Sequence, residues 1–188
     1  PARRKPGGYF TDGHEGCDMH ARSGPLTRFP HERPRLSLLL TVLVVELVGA
    51  SGSIFTAQGL QSWYGTLTRP GLAPPNWVFA PVWTTLFALM GVALWLVWRQ
   101  ADTSPGAVRL AVAVFAVHFL VNLGWSAAFF GLESLGLGLA VIAALWVLIL
   151  VTIWTFARVD RRAAALLVPY LLWVSFAALL NYRFWVLN

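Results

Sequence analysis

Five long apolar stretches constrain the fold of this chain more than any other feature of its sequence. They cover residues 36–57, 77–98, 110–130, 135–157 and 163–180. Because a helix rises about 1.5 Å per residue, about 20 apolar residues cross a hydrocarbon core roughly 30 Å thick. Hydrophobic residues make up 57% of the chain and charged residues 12%, outside the range of most soluble domains. The sequence therefore predicts an all-α integral membrane protein, built as a bundle of five transmembrane helices.

The remaining sequence predicts how the chain is divided and how its helices are ordered. Residues 1–34 are rich in Pro, Gly, Arg and His without apolar periodicity, which predicts a disordered extension ahead of a membrane domain over 35–188. Short loops at 100–106, 131–134 and 158–162 join consecutive stretches. Because a short loop brings antiparallel helices together, we expect a sequential up-and-down bundle.

The basic residues indicate an orientation in the membrane rather than a nucleic-acid partner. The formal net charge is +6, but the basic side chains lie in the N-terminal tail and at the ends of the apolar stretches. By the positive-inside rule we expect a cytoplasmic N-terminus and an external C-terminus. One side of the predicted bundle carries Arg28, Arg33, Arg35, Arg99, Arg109, Arg158, Arg161 and Arg162, and the other carries Arg69 and Arg183.

The polar tail holds the densest group of metal-ligand residue types in the sequence, namely His14, Glu15, Cys17, Asp18 and His20. No predicted fold holds these side chains together, so we predict no metal site. Cys17 is the single cysteine of the chain, which excludes an intramolecular disulfide.

The longest connection, residues 58–76, contains apolar and aromatic side chains that a purely solvated loop would not need. Trp63 and Tyr64 lie in it, and its prolines, among them Pro74 and Pro75, restrict the backbone. We therefore predict a semi-rigid lid over one mouth of the bundle. An alternative interpretation is an aromatic anchor at the level of the lipid headgroups, where Trp and Tyr concentrate.

Helical spacing places polar and aromatic side chains on shared faces of several stretches. Residues four apart, or three and four apart, lie on one face of a helix. We predict that this face lines one interior space of the bundle. Two alternatives stay open: core filling would produce the same spacing, and Asn122 could simply join two helices. The residues concerned are Trp83 and Phe87, then Asn122, Trp125 and Ser126, then Trp146, and finally Trp173, Ala177 and Asn181.

Two residues that can carry a charge near neutral pH lie inside the apolar stretches. Glu46 is at the middle of the first, where a carboxylate indicates a proton or cation site, the alternative being a neutral side chain hydrogen-bonded within the bundle. His118 is interpreted as a packed, hydrogen-bonded residue.

Other residues predict local helix features. Asn76 is expected to cap the second helix and Pro169 to kink the fifth. Two pairs of small residues suit close helix contact and dimerisation, Ala107 with Ala111 and Gly136 with Ala140.

Motifs in the first loop and the later helices resemble those of one family of membrane proteins. In the lid and second helix they are Trp63-Tyr64, Arg69-Pro70, PPNWVFAPVW over 74–83 and Met90-Gly91. Later ones are NLGW over 122–125, FFG over 129–131, VPYLLW over 168–173 and Leu180-Asn181. In order and spacing they resemble the TspO/MBR family of tryptophan-rich sensory proteins, translocator proteins and peripheral benzodiazepine receptors. The resemblance covers residues 36–188.

This resemblance implies a ligand and a set of site residues. Members of the family are five-helix membrane proteins, often homodimers, whose first loop closes a pocket for porphyrins, sterols and synthetic isoquinoline or benzodiazepine ligands. The strict pattern proposed for cholesterol contact is absent, which favours porphyrins over sterols. Arg69, Pro74 and Pro75 would then form the lid, with Arg69 available to a porphyrin propionate. The implied pocket comprises Trp63, Tyr64, Trp83, Phe87, Asn122, Trp125, Ser126, Trp146, Trp173 and Ala177.

Three functions follow as alternatives. The first is a sensor or carrier in a bacterial cell membrane that binds porphyrins such as protoporphyrin IX and needs no other cofactor. The second, which the resemblance implies, is an enzyme that degrades porphyrin in light with Trp83 and Trp173. The third is a proton-coupled transporter that uses Glu46. The apolar part of the sequence contains no nucleophile motif, metal-spaced cluster or phosphate loop, so we favour binding over catalysis.

Overall fold

The computed structural model describes residues 25–188, and within them the chain is helical without any strand. A short π-helix covers Ala127–Gly131, and 3-10 turns cover Tyr64–Thr66 and Asn76–Val78. The α-helices are α1 (Pro25–Glu32), α2 (Pro34–Ser51), α3 (Ser53–Ser62), α4 (Phe79–Trp98), α5 (Pro105–Ser126), α6 (Leu135–Ala157), α7 (Arg161–Leu166) and α8 (Val168–Leu187). The all-α fold class is confirmed.

Among residues 25–188, five segments are long and apolar enough to cross a membrane, which confirms the predicted number. They are Pro34–Gly59, Asn76–Trp98, Pro105–Gly131, Leu135–Ala157 and Arg161–Leu187. The fifth segment, expected to be the shortest, has 27 residues, because its polar ends continue the helix beyond the apolar stretch. We call these segments the first to the fifth span.

The spans form a ring whose order differs from the predicted sequential bundle. The second span packs along the first and the fifth, while the fourth lies between the third and the fifth. The second and third spans, although joined by a short loop, make few contacts. Large side chains explain this arrangement, since Trp83 packs against Tyr170 at 6.3 Å and Phe79 against Trp173 at 6.0 Å between ring centroids.

Two spans are interrupted, one as predicted and one not. The first was expected to be continuous, but α2 ends at Ser51 and α3 begins at Ser53. The amide of Gly52 bonds the carbonyl of Gly49 at 3.1 Å, and neighbouring glycines and serines are a usual cause of helix kinks. The fifth span is interrupted at Leu167, two residues before Pro169, so the predicted kink is confirmed.

The structure changes the description of the N-terminal extension. Residues 1–24, including the cluster around Cys17, lie outside the described residues, whereas Pro25–Glu32 form α1 instead of an irregular segment. The helix is held by tertiary contacts that periodicity does not reveal. The Phe29 ring lies 5.9 Å from that of Trp98, and His31 Nε2 donates to the Arg99 carbonyl oxygen at 2.7 Å.

These contacts bring the N-terminal segment and the loop after α4 to the same end of the bundle, which we call the basic end because of the arginines predicted there. The opposite end, beneath residues 58–76, is the lid end. At the basic end α2 and α4 approach closely, since a Cβ added to Gly91 would lie 2.6 Å from the Val42 Cα. The Trp95 indole also donates to Ser37 Oγ at 2.9 Å. The core at this end is tightly packed.

Candidate functional site: a cavity at the lid end

A cavity of about 290 Å³ lies between the first, second and third spans beneath the lid, residues 58–76. The first span contributes Glu46, Gly49, Ala50, Gly52, Ser53 and Thr56. The second contributes Phe79, Ala80, Trp83, Thr84 and Phe87, and the third contributes Asn122, Leu123, Trp125, Ser126 and Phe130. Tyr64 and Asn76 line it from the lid.

The wall formed by the first span consists of Glu46 and a series of small residues. Glu46, Gly49, Ala50 and Ser53 follow the spacing of one helix face and all reach the cavity. A Cβ added to Gly49 would lie 2.6 Å from two carbons of the Phe87 ring. Glycine at this position therefore allows the Phe87 ring to lie directly against the backbone of α2.

The facing walls are aromatic. The rings of Trp83 and Phe87 are tilted with centroids 5.4 Å apart, and Phe119 packs edge-on to Phe87 at 5.8 Å. On the third span, Trp125 stacks on Phe129 at 5.3 Å. These separations and angles are those of favourable aromatic pairs. The rings thus hold one another in fixed orientations around the cavity.

Asn122 lines the cavity and also joins two spans. Its Nδ2 donates to the Tyr170 hydroxyl at 2.9 Å, and only 4% of the residue is exposed. The two interpretations of Asn122, a helix contact and a cavity wall, are therefore compatible. Trp125 is positioned through Asn181, whose Oδ1 accepts from the indole at 3.4 Å and whose Nδ2 donates to the Leu135 carbonyl oxygen at 2.9 Å.

The lid is held over the cavity by aromatic and polar contacts. Tyr64 is buried, with its ring 5.1 Å from that of Phe184 and 5.8 Å from that of Phe130. The Arg69 guanidinium lies 5.6 Å from the centre of the Tyr64 ring. Burial raises the pKa of the Tyr64 phenol, although the positive charge of Arg69 acts in the opposite direction. The phenol is therefore neutral near pH 7.

Hydrogen bonds fix the lid at two further points. Arg69 Nη2 donates to the Pro74 carbonyl oxygen and to Asn76 Oδ1, both at 3.1 Å. The predicted cap by Asn76 is wrong, because α4 begins only at Phe79 and the Asn76 side chain is engaged by Arg69 instead. The amide of Thr68 also donates to Asn188 Oδ1 at 2.8 Å.

The sequence pattern shared by the TspO/MBR family matches residues 41–186. These residues include the lid, the cavity residues and almost all of the five spans. The chain belongs to the TspO/MBR family. It is 45% identical over 157 residues to the tryptophan-rich protein TspO of Chlorobaculum tepidum, covering 81% of this chain and 96% of that protein.

Further TspO/MBR relatives come from other domains of life. The tryptophan-rich protein TspO of Archaeoglobus fulgidus is 38% identical over 153 residues, covering 81% of this chain and 97% of that protein. The translocator protein of Bos taurus is 32% identical over 143 residues, covering 76% and 85% respectively. The family predicted from the motifs is therefore confirmed.

The TspO/MBR resemblance implied ten pocket residues, and the structure brings six of them to the cavity. These six are Tyr64, Trp83, Phe87, Asn122, Trp125 and Ser126. Of the three lid residues, Arg69 and Pro74 contact each other and Pro75 is exposed beside them. Of the lid residues whose side chains are described, Tyr64 and Asn76 line the cavity.

Trp146 lies outside the cavity, contrary to the prediction. The fourth span lies between the third and fifth, so it does not reach the space between the first, second and third. The Trp146 side chain faces outward, 38% exposed, and its indole donates to Ser175 Oγ at 2.9 Å.

Trp63, Trp173 and Ala177 also lie outside this cavity. Trp63 packs edge-on to Phe129 at 5.5 Å. Trp173 lies behind Phe79, and its buried indole nitrogen has no partner among the described residues. Ala177 lines a separate space of about 30 Å³. Spacing placed Trp173 and Ala177 on a common face but did not reveal which neighbour that face meets.

Sequence reasoning missed several residues that line the cavity. Phe79 lies four residues before Trp83 and Phe130 four residues after Ser126, so the spacing that defined the predicted stripe could have found both. The small residues around Gly49 likewise form a readable face of the first span. Glu46 was noted as an intramembrane carboxylate but not assigned to the pocket. His118 is fully buried with Nδ1 3.3 Å from the Thr152 hydroxyl oxygen, so its interpretation as a packed, hydrogen-bonded residue is confirmed.

Proposed function

We propose that this membrane protein binds a flat aromatic ligand of the porphyrin class in the cavity beneath the lid. The observation that carries this proposal is the pairing of fixed aromatic walls, Trp83 with Phe87 and Trp125, with a wall of small residues on the first span. A planar ring can stack on such walls, which adds to the free energy of burial. Pockets for small molecules typically measure roughly 300–1,000 Å³, and this cavity is at the lower end.

An opening toward the membrane supports a ligand larger than the cavity itself. Ala50 and Ser53 line the cavity and are also exposed. The α2 helix packs extensively on α4 but not on α5, whereas α3 packs against the third span, which leaves a gap between α2 and α5 beside the cavity. An apolar ring can enter through this gap and extend toward the lipid while one edge stays enclosed.

The lid supports a ligand with carboxylate groups. Arg69 is exposed, lies beside Tyr64 and bonds Asn76, and both of these residues line the cavity. A guanidinium can bind a carboxylate through two parallel hydrogen bonds. We propose that Arg69 pairs with a porphyrin propionate at the cavity mouth and that the lid opens and closes over the ligand.

Quenching of tryptophan fluorescence by protoporphyrin IX tests the proposal. We expect saturable quenching, and about tenfold weaker binding in Trp83→Ala, since losing a stacking partner and its buried area is worth at least 1.4 kcal/mol. Trp146→Ala is the matched control, because it removes the same side chain outside the cavity. Equal affinity in the two variants, or no saturation in the parent protein, would contradict the proposed site.

Light-dependent degradation of the ligand is a second candidate, favoured by the position of Trp83 at the cavity wall. Trp173, its expected partner, is separated from the cavity by Phe79. The enzyme hypothesis therefore rests on Trp83. A new product that forms only under illumination, and not in Trp83→Phe, would support it, and an unchanged ligand spectrum after illumination would exclude it.

We also propose a homodimer in a bacterial cell membrane with a cytoplasmic N-terminus. Of the two small-residue pairs, Gly136 and Ala140 are exposed on α6 and suit contact with a second copy, whereas Ala111 is buried inside the bundle. The arginines at the basic end support the orientation.

A further inference from the structure

Glu46 is the most unusual polar residue of the membrane-spanning part. It lies at the middle of the first span and lines the cavity. Its carboxylate makes no hydrogen bond or ion pair with the residues that the structure describes. An ionisable side chain at this depth is costly unless it is paired, which makes it a candidate functional group.

The surroundings of Glu46 favour positive charge. Among the described cavity-lining residues, Glu46 and Tyr64 are ionisable, and none is Lys, Arg or His. The Asn122 amide nitrogen donates one of its two hydrogens to the Tyr170 hydroxyl, and as a neutral group it does not balance the charge of an anion. The faces of Trp83 and of Phe87 attract cations through their ring electrons.

Side chains of opposite charge therefore lie at the two ends of the cavity. Glu46 lies about one helical turn before Gly49, whose backbone lies against the Phe87 ring, whereas Arg69 lies beside Tyr64 at the lid. A ligand that reaches both ends meets a carboxylate deep in the membrane and a guanidinium at its surface. A purely anionic ligand can pair with Arg69 but not with Glu46.

We propose that Glu46 is a specificity-determining residue that pairs with a protonated amine of the ligand. This inference rests on the proposed function, because it assumes that a flat aromatic body occupies the cavity against Trp83 and Phe87. The ligand class is then an aromatic cation, or a zwitterion whose carboxylate meets Arg69. The ammonium group supplies the partner that the described residues do not give to Glu46.

Two synthetic porphyrins that differ in one side group test this inference. One carries an aminomethyl group, which is protonated at pH 7, and the other carries a neutral hydroxymethyl group of similar size. Each is titrated against the full chain in nanodiscs of zwitterionic phosphatidylcholine. We expect the amine probe to bind the parent protein about tenfold more tightly, equivalent to about 1.4 kcal/mol.

The variant Glu46→Gln keeps the size of the side chain and removes its charge. We expect it to lose the preference for the amine while it binds the hydroxymethyl probe as the parent does, which also shows that it is folded. Glu133→Gln, at the lid end outside the cavity, is the matched control and should keep the preference.

Other outcomes overturn the inference in distinguishable ways. Equal affinity of the parent protein for both probes, or a preference that survives in Glu46→Gln, removes the role of Glu46 and leaves porphyrin binding intact. Failure of the parent protein to bind either probe removes the proposed function together with the inference.

Discussion

The basic end and the lid end of the bundle use the same five spans in different ways. At the basic end Met90, Ala93, Val97, Ile149 and Phe156 are fully buried, and the backbones of α2 and α4 approach at Gly91. At the lid end, wide aromatic side chains surround about 290 Å³ of open space. Where Gly91 meets Val42 two helices come close together, whereas the rings that line the cavity brace one another around an open space.

The backbone is also less regular at the lid end than at the basic end. The break at Gly52, the 3-10 turn over Asn76–Val78 and the π-helix over Ala127–Gly131 all lie toward the lid end and contribute residues to the cavity wall. Irregular backbone at membrane depth is tolerated where it is buried in protein or lines a cavity, and π-helical turns occur frequently at functional sites. The interruption at Leu167, at the basic end, is instead explained by Pro169.

The largest effect is expected from disturbing the close contact at the basic end. In Gly91→Ala the new methyl group would meet the Val42 Cα, so α2 must move away from α4. We expect a loss of about 1–3 kcal/mol, the usual cost of overpacking. Thermal unfolding in detergent measures it. Gly124→Ala is the control, since a Cβ there meets nothing within 4 Å.

The unfolding temperatures of the same two variants can also contradict this prediction. If Gly91→Ala unfolds at the same temperature as Gly124→Ala, the basic end can adjust and is not the rigid part of the bundle. The contrast between a close-packed end and an open end would then be wrong.

A smaller effect is expected where the two ends meet, at the pair of Asn122 and Tyr170. Tyr170→Phe removes the hydroxyl that accepts from the Asn122 amide. Hydrogen bonds between transmembrane helices contribute about 0.6 kcal/mol on average and up to about 1.7 kcal/mol. We expect a stability loss in this range, measured by the same unfolding experiment. Tyr182→Phe, at a side chain that is 47% exposed, should change nothing measurable.

The outcome also sharpens the role of Asn122. A loss in Tyr170→Phe shows that this residue joins the third and fifth spans in addition to lining the cavity. Equal stability of Tyr170→Phe and Tyr182→Phe would mean that the bond contributes no net stability.

The smallest effect is expected at the lid. Arg69→Met removes the two hydrogen bonds that join Arg69 to Pro74 and Asn76, but these bonds are exposed and compete with water. We expect protoporphyrin IX to dissociate about two- to fivefold faster, as stopped-flow fluorescence can measure. Arg183→Met removes a second arginine from this end without touching the lid. An equal change in both variants would assign the effect to surface charge alone.

Part of the site could be predicted from the sequence because helical spacing is a local property. Trp83 and Phe87 are four residues apart, as are Asn122 and Ser126, and each pair does face one cavity. Trp173 and Ala177 have the same spacing, yet they face Phe79 and a smaller space. Spacing identifies a shared face, but the partner of that face depends on the order of the helices in the ring.

The sequence alone determined the number of spans, the position of the lid and the family, because hydropathy and ordered motifs follow directly from residue order. Only the tertiary structure decided that the second span adjoins the fifth, that the first bends at Gly52 and that Trp146 faces outward. These features depend on which side chains meet across the bundle. The same applies to Glu46, whose place in the cavity follows from packing between spans distant in sequence.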